Sequence, residues 1–425
     1  MPRIRGESMR NFVEYHGGLA AHFEWAILIV PLIGQALLGQ TMLTSTNGMV
    51  RIIPTDSAVL EMQEVRKDLV CTVTPAKAPL GFDLRFHSGY EVNVPMKELA
   101  GAENLLTILF RVTSEERKEE PTYFIQRMRV PEIEENASGS VQMGGLFDLG
   151  AGKYHVDWLM RDRSERVCSF YWDLEATLPP KDASITVAIP PTEIRLADEE
   201  HFKEEPPVER ADNAPLNVKV LLNYAPQNSS SAIMRTSDTT ALVSILRSIF
   251  RDPRITKFSL VAFNLHERRV LFKQDNADRI DFPKLGEAVS KVKLATTDLA
   301  RLSNKRGEIE FLTGLVQSEL AAGDRPDAII FAGPKTLVDA KIEPEILKEL
   351  GTLTYPVFYL NYNLYPQVNP WRDAISHAVK HFKGQEYTIS RPRDLWFATT
   401  EMVENIVKQK SDKQKNTRVA IGGGE

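Results

Sequence analysis

Cysteine is the scarcest informative residue in this sequence, with two in a chain of 425. Two thiols exclude a four-ligand zinc ribbon and a disulfide-dense scaffold. Excess positive charge is also missing: 52 Lys+Arg stand against 57 Asp+Glu, a formal net charge of -5, so no nucleic-acid partner is implied. Long hydrophobic runs are lacking too. The charge-free stretch Ala26 to Leu38, AILIVPLIGQALL, falls short of the roughly 20 apolar residues a spanning helix needs. There is no Gly-x-Ser-x-Gly nucleophile elbow. Gly144-Gly145 and Gly422-Gly423-Gly424 do not stand between a strand and a helix with the lysine that a phosphate loop requires. No cofactor and no catalytic residue is expected, and the chain reads as non-enzymatic. What is present is a folded composition, 43% hydrophobic and 26% charged, and a length that suggests two or three domains at about 100–200 residues each.

Residues 1–45 read as a signal peptide or membrane anchor. Arg3, Arg5 and Arg10 precede the apolar stretch, and Pro31 interrupts it, which favours cleavage over spanning. A buried helix of a cytosolic domain is the alternative. The expected location is secreted or periplasmic, or membrane-anchored, with an uncleaved N-terminal segment as the only membrane contact. Cys71 in DLVCTVTP and Cys168 in RVCSFYWDL lie in strand-like segments. In an oxidising compartment they either form a disulfide or remain two separately buried thiols.

From 55 to 196 the chain offers β-branched and aromatic runs between turn residues: Leu69 to Val73, Phe82 to His87, Leu105 to Val112, Thr122 to Val130, Tyr154 to Met160, Val167 to Leu174 and Ile185 to Ile189. Seven short strands suggest an all-β sandwich. In the hairpin Tyr154 to Leu174, one face of each strand is apolar, whereas His155 and Asp157 fall on the other face and are expected to be solvated. Gly152-Lys153-Tyr154 resembles the Gly-x-Tyr entry to the penultimate strand of immunoglobulin-like domains, which implies that Tyr154 anchors a corner.

Residues 197–214 carry the acidic, Pro-containing run DEEHFKEEPPVER and read as an exposed interdomain linker. Beyond it, from 215 to 410, apolar strands alternate with amphipathic helices, as in a mostly parallel, doubly wound α/β sheet. The hairpin KFSLVAFN/ERRVLFKQD must contribute one antiparallel edge strand. Residues 411–425 read as a disordered tail.

An apolar first strand followed by a Ser-rich loop, within such a sheet, resembles a von Willebrand factor A domain. The closing pattern GQEYTISRPRDLWFATTEMVENIV is similar to the end of the acidobacterial VWFA-related family, whose members are exported. That resemblance implies a metal-dependent adhesion site after the first strand. Here the matching positions are Asn223, Ala225 and Gln227, with Ala332, Gly333 and Pro334 after the fourth strand and Lys305 and Arg306 nearby. The substitutions imply a degenerate site with no metal. The expected ligand-binding face is Tyr224, Gln227, Asn228, Ser229, Arg306 and Lys335, at the strand ends where such sheets present ligands. An unremarkable loop is the alternative. His377 and His381 share a helix face, but no third ligand lies in register. The functional expectation is protein interaction or adhesion, set against an enzyme of unknown chemistry in an interdomain cleft. A His–carboxylate cluster in that cleft would favour the enzyme.

Overall fold

The computed structural model describes residues 40–43, 52–197, 200–211, 215–227, 234–291, 305–321, 325–336, 342–349, 351 and 353–422. The apolar stretch Ala26 to Leu38 lies outside them. Gln40 to Leu43, within the 1–45 segment expected to be a signal peptide or anchor, form strand β1 (Gln40–Leu43), which pairs antiparallel with β5 (Thr122–Val130).

The first half builds two antiparallel sheets. One has the order β1-β5-β4-β7-β8, with β4 (Asn104–Ser114), β7 (Gly152–Arg161) and β8 (Val167–Ala176). The other has the order β2-β3-β6-β9, with β2 (Thr72–Ala76), β3 (Phe86–Pro95), β6 (Ser140–Leu149) and β9 (Ile194–Leu196). Alternation in β3, β4 and β7 turns Tyr90, Phe110 and Trp158 into one core with Phe124 and Phe147. Phe110 stacks on Phe124 at 4.8 Å, and Tyr90 meets Trp158 edge-on at 5.4 Å. Each such buried ring contributes about 2–3 kcal/mol. β6 pairs with β3 at close quarters: a Cβ on Gly145 would sit 2.6 Å from the Tyr90 ring, and one on Gly89 would sit 2.1 Å from the Gly145 carbonyl.

A disulfide joins Cys71 to Cys168, with Cα atoms 6.3 Å apart and a sequence separation of 97. It ties the segment entering β2 to β8 and closes a long loop. Residues 66–69 run along the outer edge of β8, through Ser169 N–H to the Arg66 carbonyl and Leu69 N–H to the Val167 carbonyl. The Tyr154 hydroxyl donates to the Gly150 carbonyl at 2.8 Å. On the outer face of the five-stranded sheet His155 stays partly exposed, whereas Asp157 is buried instead of solvated. Helix α1 (Pro54–Met62) covers that face with Leu60, packed on Leu109 and Leu159. Asp157 is buried there and accepts from Arg111 and Gln63 at 2.8 and 2.9 Å.

The second half is a six-stranded sheet of order β12-β11-β10-β13-β14-β15, comprising β10 (Leu216–Asn223), β11 (Ile255–Asn264), β12 (Arg269–Ala277), β13 (Ala328–Pro334), β14 (Val357–Tyr362) and β15 (Gln385–Ile389). β12 runs antiparallel to β11, and the other neighbours are parallel. One core lies between the sheet and α2 (Thr236–Phe250), α3 (Phe282–Ser290) and α7 (Pro392–Gly422). A second lies against α4 (Lys305–Ala321), α5 (Pro344–Glu349) and α6 (Ala374–His381). Residues 411–422, expected to be a tail without structure, continue α7. Their Lys, Gln and Asp are compatible with a helix, and neither proline nor glycine interrupts them before Gly422.

The acidic segment after β9 is not a free spacer either. Phe202 packs against the first of these cores, and Glu205 is buried beneath Arg247 and Arg251. Arg210 lies over the Phe250 ring and donates to the Phe250 carbonyl.

The expected fold class, an immunoglobulin-like sandwich joined to a doubly wound von Willebrand factor A-like α/β domain, is corrected when all the described pairings are taken together, although the second-half sheet keeps parallel neighbours and the one antiparallel edge strand. The described chain is mostly β: fifteen strands in three sheets against seven helices, with eight of the twelve pairings antiparallel. Apolar alternation fixes the type of each element, whereas fold class depends on which strands pair, and that is not local information.

Candidate functional site

The parallel strands of the second half end on one side, where β10, β13 and β14 deliver Asn223, Pro334 and Tyr362. The segment from β14 to α6, Asn363 to Asp373, projects there. It is held from both ends. Val368 and Asn369 N–H groups donate to the Tyr365 carbonyl at 3.0 and 3.1 Å. The Asn369 carbonyl accepts from Lys335 Nζ at 2.8 Å and from Asn363 Nδ2 at 3.2 Å. Asp373, fully buried, caps α6 by accepting from Ser376 N–H at 2.8 Å. Its other oxygen accepts from Thr336 N–H, Thr336 Oγ1 and Tyr359 Oη at 2.9, 3.2 and 3.0 Å. Burial pushes the Tyr359 phenol well above its ordinary value, and the Asp373 charge beside it adds to the shift. This fixed segment exposes Tyr365 (58%), Val368 (69%) and Trp371 (42%) to solvent. The three stand within one stretch of seven residues, and exposed aromatic side chains are enriched at interaction surfaces.

Of the side chains expected on this face, Gln227 and Lys335 come together on the loop. Gln227 Nε2 donates to Asn363 Oδ1 at 3.4 Å, and Lys335, almost fully buried, spends its charge on the Asn369 carbonyl. Arg306 is exposed in the first turn of α4. Tyr224 is instead a core residue: its hydroxyl meets Thr239 Oγ1 at 2.7 Å and its ring packs near Phe202. Asn228 and Ser229 lie outside the described residues. Beside Arg306, His266 bridges Glu308 at 2.9 Å and the Pro226 carbonyl at 2.8 Å. Burial disfavours charge on its ring, but both partners outweigh burial and raise its pKa. His377 is half-buried and His381 exposed on α6. Among the described residues, no group of three or more His, Cys, Asp or Glu side chains converges as a metal site. Also among them, no helix is long and apolar enough to cross a membrane.

Sequence reasoning singled out none of Tyr365, Val368 and Trp371. The signal was available. Aromatic residues and prolines follow a fully buried strand in NLYPQVNPW, where a solvated loop would be polar.

A second feature lies between the two halves. A cleft of about 1220 Å³ is walled by β3 and β6 on one side and α2 on the other, with the segment from Glu200 to Pro206 between them. On the first wall His87 is clamped between two carboxylates, Asp148 at 2.7 Å and Asp83 at 2.9 Å, and Arg85 pairs with Asp148 at 3.2 Å. Burial works against the His87 charge, but the hydrogen bonds and charges of Asp148 and Asp83 prevail and raise its pKa to about 10. Desolvation likewise opposes the Asp83 charge and is overcome by His87 and Arg85, so its pKa is lowered. With both nitrogens engaged and the ring cationic at neutral pH, His87 is unsuited to act as a general base there.

The raised value has a measurable consequence. An unfolded histidine titrates near 6.5, so the stabilisation from charged His87 is complete below about pH 6.5 and is lost as pH rises toward 10. His155 acts in the same sense: its hydrogen bond to Asp157, set against burial and aided by Asp173, raises its pKa to about 9. Thermal melts at constant ionic strength are expected to show a midpoint that falls from pH 7 to pH 10, less steeply in His87→Gln. Parallel pH profiles for the two proteins would contradict this reading.

No family model and no curated sequence matches the chain. Among solved structures it is similar to the ApaA protein from Bordetella pertussis, at 11% identity, covering 26% of this chain and 94% of that one, with a TM-score of 0.16. It is also similar to Bacteroides uniformis beta-glucuronidase, at 11% identity, 71% and 39% coverage and a TM-score of 0.19. A glycosyl hydrolase family 2 member from Bacteroides cellulosilyticus DSM 14838 matches at 11% identity, 75% and 38% coverage and a TM-score of 0.18. The chain thus spans about two fifths of the length of these hydrolases. Likenesses this slight carry no weight about activity. The von Willebrand factor A resemblance, with its degenerate adhesion site and its acidobacterial family, is withdrawn. Taken over the described residues the strand pairing is mostly antiparallel, and no family model supports the resemblance.

Proposed function

We propose that the protein binds a protein partner through the loop Asn363 to Asp373, and that the partner contributes an acidic segment with apolar anchors. The observation that carries this reading is the fixed presentation of Tyr365, Val368 and Trp371 by Lys335, Asn363 and Asp373. A rigid loop loses little conformational entropy when it is covered, and tryptophan and tyrosine are the side chains that most often dominate binding energy. Charge supports the acidic partner. Arg372 is exposed beside Trp371, and Arg306 and Arg235 are exposed around the same strand ends. The disulfide between Cys71 and Cys168 supports an exported setting, secreted or periplasmic, since such bonds persist in oxidising compartments.

Selection of displayed peptides on the immobilised full chain tests the reading. It predicts enrichment of sequences that combine Asp or Glu with aromatic or aliphatic anchors, and loss of that enrichment on Tyr365→Ala/Trp371→Ala. Enrichment unchanged by the double substitution, or no enrichment at all, would refute it. The enzymatic alternative rests on the cleft, where the cluster at His87 is already neutralised within itself and supplies no base at neutral pH.

A further inference from the structure

The charges of the interdomain cleft do not balance. Asp83 and Asp148 are matched by Arg85 and protonated His87 on the same wall. On the opposite wall a single buried carboxylate, Glu205, serves two guanidinium groups: Arg247 at 2.5 Å and Arg251 at 2.8 Å. Glu204 is paired with Arg279 and Arg195 with Glu193, while Glu200 and Lys203 contribute one charge of each sign. Among the described residues the cleft is left with a surplus cation at Arg247 and Arg251. Arg247 is the most constrained of the group. Desolvation lowers its pKa against the attraction of Glu205, and the charges of Arg251 and Arg85 lower it further. Like charges gathered in a partly desolvated space repel one another, and an anion between them relieves that cost.

We infer that this cleft binds a small polyanion, one carrying two or more carboxylate or phosphate groups, between Arg85 and Arg195 on the first wall and Arg247 and Arg251, on and just after α2. Guanidinium groups suit this role, because each presents a planar set of donors that matches an oxyanion in bidentate fashion. The volume, about 1220 Å³, leaves room for polar bulk besides the charges. Thr236 and Thr240, which line the same wall, offer hydroxyl partners for that part. Because both halves contribute cations, bound ligand bridges them.

The test is calorimetric titration of the full chain with pyrophosphate and, separately, with citrate, which distinguishes a phosphate from a carboxylate source. The expected result is saturable binding of at least one of them, weakened by about tenfold or more in Arg251→Gln and in Arg195→Gln. Arg195 is half-exposed and, among the described residues, pairs with Glu193, so its substitution is expected to leave the folded state intact even if Arg251→Gln loosens the strap at Glu205. Arg372→Gln, on the distant loop, is expected to leave the affinity unchanged. Absence of saturable binding by both anions, or binding equally strong in both cleft variants, would overturn the inference without touching the reading of the loop.

Discussion

Asp373→Ala is expected to lower the free energy of unfolding by about 3–5 kcal/mol, a value reached only when a buried polar centre is broken. The carboxylate accepts four hydrogen bonds from groups on three different elements. Alanine would leave the Tyr359 hydroxyl without this acceptor in a site closed to water, and would remove the cap of α6. Each orphaned donor costs about 1–3 kcal/mol, and a lost cap costs about 1. Asp373→Asn keeps one acceptor oxygen and is expected to recover part of the loss. Urea unfolding of the three proteins measures this; an alanine variant within about 1 kcal/mol of the parent would show that the network contributes little. The same substitution is also expected to loosen the loop, since Asp373 fixes its C-terminal end.

A comparable loss is expected for Glu319→Ala. Lys219 sits in central strand β10 with almost no exposure, and its ammonium lies 3.1 Å from the Glu319 carboxylate and 3.2 Å from the Glu319 carbonyl. Lys273 reaches the other carboxylate oxygen at 2.8 Å from the surface side. Taking the carboxylate away strips a buried cation of its countercharge, at about 3–5 kcal/mol. Replacing the pair together, as Lys219→Met/Glu319→Leu, is expected to cost far less and can even stabilise, because the desolvation of both charges is removed as well. A double-mutant cycle read by urea unfolding separates these cases. Strictly additive single-site losses would contradict the account.

Much of the local structure was legible in the sequence. β5 occupies the residues its alternation marks out, and the apolar runs of β10, β11, β13 and β14 each become buried strands. β6 was missed because Gly144, Gly145 and Asp148 interrupt its pattern. The glycines are there for the close approach to Tyr90, and Asp148 for the clamp on His87. The fold class and the family were misread, since alternating apolar segments do not say which strands pair. The two sites differ in the same way. The loop from Asn363 to Asp373 is contiguous, and its exposed aromatics could have been noticed. The clamp on His87 joins residues 61 positions apart in sequence, and the cleft adds α2 from the other half, so nothing local announced either.

The most direct test of the central claim is the dissociation constant of a selected acidic peptide for the parent protein and for Trp371→Ala. The account predicts an affinity at least about thirtyfold weaker in the variant, as for the loss of an anchor worth some 2 kcal/mol, with the unfolding midpoint unchanged because Trp371 is exposed. Equal affinities for the two proteins would place the binding surface elsewhere and contradict it.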